Sequence, residues 1–228
     1  MAVRRAASVL AGTLAALAGM AGMAGARAQV PAADCSAGGV HRAGATLCFS
    51  GELTQASVER ALALLAADRS ISTMVITSDG GEVRVSLRLA RAIRARGLTL
   101  VVRRQCASSC ANFLFTAARR KIVEPRSLVV FHGGIAPPAF GGLLGGGGAE
   151  SGLRAETEAF FREIGVNGSL TYDQPPLPGS RDGAEEWTAS PRALARYGVA
   201  GIVSMWWPST AAVRAEGRAQ GMNLGVFE

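Results

Sequence analysis

Only two histidines occur in the chain, His41 and His132, and they lie far apart. None of the four cysteines forms a C-x-x-C pair. A tetrahedral zinc site draws on clustered Cys and His ligands at short spacing, so no metal is expected, and no cofactor either. Basic runs interleaved with aromatics are also missing, which removes the footprint of nucleic-acid recognition. Much of the positive charge recurs at helical spacing, as at Arg84, Arg88, Arg91 and Arg94, and reads as a solvated helix face. No long apolar run follows the first one, so no integral membrane span is expected in 29–228.

The first 28 residues read as a targeting segment. Arg4 and Arg5 form a positive start, an Ala/Gly/Leu-rich stretch follows, and Ala26-Arg27-Ala28 is an A-x-A cleavage pattern. A signal peptide over 1–28 and a single domain over 29–228 are expected, with a periplasmic or secreted location. An even cysteine count in an exported chain favours disulfides. Four cysteines allow three pairings, and proximity favours Cys35–Cys48 and Cys106–Cys110.

The hydrophobic pattern alternates short β-like runs with helical ones. Strands are expected near 46–49, 74–77, 98–103, 121–123 and 128–131. Helices are expected over 54–67 with Thr54 as N-cap, 82–96 closed by Gly97, 110–118, 153–164 and 191–197. This order predicts an α/β fold with a mainly parallel sheet. The stretch 133–149 is glycine-rich, includes Pro137-Pro138, and reads as a flexible loop, a lid or a plain insertion. Trp206-Trp207-Pro208 is expected to pack on the domain.

Chemistry concentrates in Arg104-Gln-Cys-Ala-Ser-Ser-Cys-Ala-Asn-Phe-Leu-Phe115, where a strand gives way to a helix. Acyl transfer by serine needs a nucleophile, a base and oxyanion donors. Ser109 is the candidate nucleophile, with Ser108 its competitor. His132, at the end of the next β-like run, is the candidate general base. The Cys110 N–H at the helix start is one candidate oxyanion donor, and Gly80-Gly81 ends a neighbouring strand where backbone can approach substrate. Oxidised, Cys106 and Cys110 would brace this turn. Reduced, Cys110 would be a thiol of lowered pKa.

Four ordered motifs carry a resemblance. They are Thr77-Ser-Asp-Gly-Gly81 followed by Val83, Ser108-Ser-Cys-Ala-Asn-Phe-Leu-Phe-Thr-Ala117, Val129-Val-Phe-His132, and Ala189-Ser-Pro-Arg-Ala193 with Tyr197-Gly-Val-Ala200. Residues 46–203 resemble the Clp protease proteolytic subunit and its crotonase-fold relatives, most of all their exported, periplasmic branch. The resemblance implies stacked ββα units, Ser109 as nucleophile, His132 as base, and an oxyanion hole from the backbone of Gly81 and Cys110. It also implies a peptide or protein substrate and self-association into a homo-oligomer. The short helix in the ring-stacking position speaks against a double ring with an unfolding partner. The family's acid falls on Arg181, leaving Asp182, Asp173 or no residue in that role.

An exported serine hydrolase, most simply a peptidase, is therefore the leading expectation. The alternatives are a non-catalytic peptide- or partner-binding member of the same fold, and a thiol–disulfide protein using Cys106 and Cys110.

Overall fold

The computed structural model describes residues 33–134, 148–181 and 183–228. The expected signal peptide at 1–28, most of the glycine-rich stretch and Asp182 lie outside the described residues.

Two antiparallel strands, β1 (Gly39–Ala43) and β2 (Thr46–Ser50), open the fold. Residues 46–49 of β2 are all buried, as in a strand covered on both faces. Helix α1 (Gln55–Ala67) starts at Thr54, where Thr54 and Ser57 exchange side-chain and backbone bonds in a capping box. It buries Val58, Ala61 and Leu65. Then come β3 (Thr73–Ser78), α2 (Val83–Arg96) capped at Gly97, and β4 (Thr99–Ala107).

A π-helix (Cys110–Phe115) follows, then β5 (Arg120–Val123) and β6 (Leu128–Val130). The chain continues through α3 (Gly148–Ile164), a 3-10 turn (Gly168–Thr171), β7 (Glu186–Ala189), α4 (Pro191–Arg196), β8 (Ile202–Met205), α5 (Thr210–Ala219) and β9 (Leu224–Phe227).

Seven strands form one sheet in the order β1-β2-β3-β4-β5-β8, with β6 also paired to β4. Every pair except β1–β2 is parallel. Strands β7 and β9 make a second, parallel pair. The fold class is thus α/β with a mainly parallel sheet.

Strand β4 changes partner midway. Residues 99–102 lie against β5, and 105–107 against β6. Between them Arg104 takes φ 61, and its N–H is bonded to the Ser127 hydroxyl. At the same level the β3–β4 register shifts, from Ile76↔Val102 to Ser78↔Cys106. Such a bulge bends a strand and re-aims its end. The strand expected over 98–103 therefore runs on to Ala107, because β6 offers it a second edge. The helix expected next is present, but its first six residues are wound as a π-helix, a rare form frequent at functional sites.

Packing ties this π-helix to its neighbours. Phe113 meets Phe160 and Phe161 of α3 at ring-centroid distances of 5.8 and 6.0 Å. The arginine face of α2 is less solvated than its spacing suggests. Arg91 lies over the Phe160 ring and pairs with Glu163, while Arg94 donates to the Ala117 and Ile164 carbonyls. Trp206 and Trp207 pack, half-buried, around Leu128 and Val130, as expected for the tail.

Both expected cysteine pairs form, Cys35–Cys48 and Cys106–Cys110, with Cα–Cα distances of 5.4 and 5.2 Å. They fit an oxidising, extracytoplasmic compartment. Among the described residues no helix is long and apolar enough to cross a membrane.

Lys121 is buried on β5, at 1% exposure. Its ammonium donates to the carbonyls of Ala118 and Ala200. Burial, with Arg94 nearby, lowers its pKa from 10.5 to about 8. Between these values the unfolded chain binds more protons than the folded one, so stability rises with pH across this window. The penalty is fully present below pH 8 and relieved above 10.5. Its size is about 3 kcal/mol at most. Denaturant unfolding from pH 7.5 to 10.5 should show this rise, and Lys121→Met should flatten it.

Candidate functional site

Three neighbouring strands end together. Strand β3 runs into Gly80-Gly81, β4 into Ser108-Ser109, and β6 into His132. In open α/β sheets the crevice beyond the carboxyl ends of the strands is where ligands bind. The partner switch of β4 creates this meeting, since it sets 105–107 beside both Ser78 and β6.

The turn after β4 is tightly specified. Ser108 adopts φ 53, a left-handed conformation costly for a residue with a Cβ. Its N–H donates to the Val130 carbonyl at 2.9 Å, and its carbonyl accepts from the Asn112 N–H at 2.8 Å. The Cys106–Cys110 disulfide spans the turn from one side to the other, with both sulfurs buried. Backbone strain held by surrounding structure clusters at active sites.

The two serines occupy different positions. Ser109 reaches the expected turn but is 4% exposed, and its hydroxyl donates to the Gly81 carbonyl at 2.7 Å. Ser108 is half-buried, and its hydroxyl bonds to no described residue. A Cβ at Gly80 would come within 2.6 Å of the Ser108 Cβ, so the Ser108 side chain lies directly against this glycine turn. The free hydroxyl is Ser108's.

Oxyanion donors are available beside it. Leu53 donates to the Gly80 carbonyl and accepts from the Glu82 N–H, flanking Gly81 on both sides. The Gly81 carbonyl accepts from the Ser109 hydroxyl, and the Gly81 N–H has no partner among the described residues. The Cys110 N–H, at the start of the π-helix, is likewise unbonded. Gly81 has φ 145, and a Cβ there would meet the Leu53 carbonyl oxygen at 2.5 Å. Only glycine fits so close to that backbone.

His132 is exposed at the end of β6. The Asn112 side-chain amide donates to the carbonyl of the next residue, Gly133, at 3.3 Å, linking the π-helix to the histidine turn. Just before it, Phe131 and Trp187 exchange two backbone bonds of 2.7 Å in an antiparallel bridge. One residue further along each strand, that register sets Glu186 opposite His132. His132, Glu185 and Glu186 together line a cavity of about 390 Å³.

Glu186 is a carboxylate beside His132 that the sequence did not single out. Of the expected acids, Asp182 lies outside the described residues. Asp173 accepts from the Ser169 hydroxyl at 2.8 Å and from the Tyr197 hydroxyl at 3.2 Å, and so supports the loop after α3. No ion pair joins His132 to a carboxylate among the described residues. The one signal for Glu186 is its place immediately before Trp187, whose buried indole stacks on Phe131 and donates to the Leu170 carbonyl.

Comparison with protein-family models and with curated proteins finds no match to this chain.

Proposed function

We propose that this chain is an exported serine hydrolase acting on peptide bonds, built on the stacked ββα plan of the Clp protease subunit and crotonase relatives. The observation that carries the reading is the Ser108 hydroxyl without a partner among the described residues, on a residue of strained φ at the strand ends where the Gly81 and Cys110 N–H groups are also unbonded. His132 ends the adjacent strand. In this scheme Ser108 Oγ attacks the scissile carbonyl and gives its proton to His132. The developing oxyanion takes the N–H groups of Gly81 and Cys110. His132 then protonates the leaving amine, and water repeats the sequence on the acyl-enzyme.

Glu186, opposite His132, orients the imidazole and stabilises its charged form. Ser109, the nucleophile that the motif resemblance implies, instead bonds to the Gly81 carbonyl and fixes the neighbouring N–H. The buried sulfurs of Cys106 and Cys110 weigh against thiol–disulfide exchange, which requires an accessible sulfur. Self-association of the chain belongs to the same proposal.

A fluorophosphonate probe tests the reading. The folded wild-type protein should be labelled, His132→Ala should lose labelling, and Glu186→Gln should slow it by on the order of 10²-fold with its pH profile displaced. A folded wild-type protein that does not label favours the peptide-binding alternative.

A further inference from the structure

A second cluster of charge lies at the opposite end of the sheet. Arg94 comes from the last turn of α2, Arg119 precedes β5, and Lys121 lies within β5. Together they line a cavity of about 240 Å³, whose remaining walls include Thr116, Ile164 and Ala200. No acidic residue lines this cavity. None of the three cations is paired with a carboxylate among the described residues.

Their hydrogen bonds go to carbonyls alone. Lys121 donates to Ala118 and Ala200, and Arg94 reaches Ala117 at 3.3 Å and Ile164 at 3.5 Å. Carbonyl dipoles satisfy donors but do not neutralise charge. Arg119 is exposed at the rim, so the cavity is open to solvent. Buried charges are ordinarily paired, and the buried Lys121 is not paired with a carboxylate among the described residues.

We propose that this cavity binds a small oxyanion, such as phosphate or a short carboxylate, between Arg94, Arg119 and Lys121. Its volume suits a molecule of that size and is too small for a folded partner. Guanidinium groups match the oxygens of such anions with parallel N–H bonds. The lowered pKa of Lys121 adds a consequence: an anion favours the charged ammonium, so binding is accompanied by proton uptake near pH 8. The site lies away from the serine turn, and the proposal stands whether or not the chain is a hydrolase.

Thermal unfolding at pH 7 in inorganic phosphate tests it, against chloride at matched ionic strength, with acetate as a third arm. Phosphate should raise Tm by several degrees over chloride and bind in calorimetry with proton uptake at pH 8. A Tm rise with acetate alone would identify a carboxylate as the ligand. Arg119→Gln, at the exposed rim, should fold normally and weaken binding by on the order of tenfold. Lys121→Met should abolish both binding and proton uptake. If it fails to fold, Arg119→Gln decides the matter. Equal Tm in all three salts, or undiminished binding by Arg119→Gln, overturns the proposal.

Discussion

Ser108→Ala is expected to lose hydrolysis and fluorophosphonate labelling by on the order of 10⁴-fold or more, the usual consequence of removing a nucleophile. Ser109→Ala is expected to retain labelling, with a loss nearer tenfold. The contrast follows from where the two hydroxyls point. Ser109 Oγ is spent on the Gly81 carbonyl and buried at 4% exposure, whereas Ser108 Oγ has no partner among the described residues. Removing the Ser109 hydroxyl frees the Gly81 carbonyl and loosens the N–H beside it. That affects transition-state stabilisation without removing the attacking atom. Rates for both variants on one peptide or ester substrate, at equal folded concentration, check the ordering.

Gly80→Ala is expected to disable the proposed site from the neighbouring strand. Gly80 has φ 102, and an added Cβ would stand 2.6 Å from the Ser108 Cβ, 2.8 Å from the Ala107 carbonyl oxygen and 2.9 Å from the Ser109 N. These are backbone and first-carbon contacts, so no flexible side chain can swing aside. Backbone strain and overpacking together are expected to cost roughly 3 kcal/mol. The turn carrying both serines must shift to relieve them. Denaturant unfolding should show the lowered stability, and labelling of the remaining folded protein should fall at least as far as in Ser108→Ala.

Much of this arrangement was legible in the chain. Thr54, Gly97 and the apolar spacing of α1 and α2 act through local rules of capping and periodicity, and both helices formed where those rules put them. The cysteine pairing followed from proximity. Gly80-Gly81, the serine turn and His132 read as strand ends because apolar runs stop there.

What was not legible depends on long-range geometry. The proposed choice between the adjacent serines rests on the bond of the Ser109 hydroxyl to the Gly81 carbonyl, a contact 28 residues apart in sequence that no composition rule encodes. Glu186 comes opposite His132 only through a bridge joining Phe131 to Trp187, residues far apart in sequence. The extension of β4 to Ala107 needed β6 as a partner. The burial of Lys121 likewise depends on the segments before β5 and before β8, whose Ala118 and Ala200 carbonyls accept from its ammonium.

Ser108 is proposed here as the attacking residue of a hydrolytic site. Tandem mass spectrometry of the wild-type protein after fluorophosphonate treatment tests it most directly, by locating the adduct within the peptide that spans both serines. The phosphonyl group is expected on Ser108, with the adduct lost in His132→Ala. An adduct on Ser109, or a folded protein that takes up no probe, would contradict it.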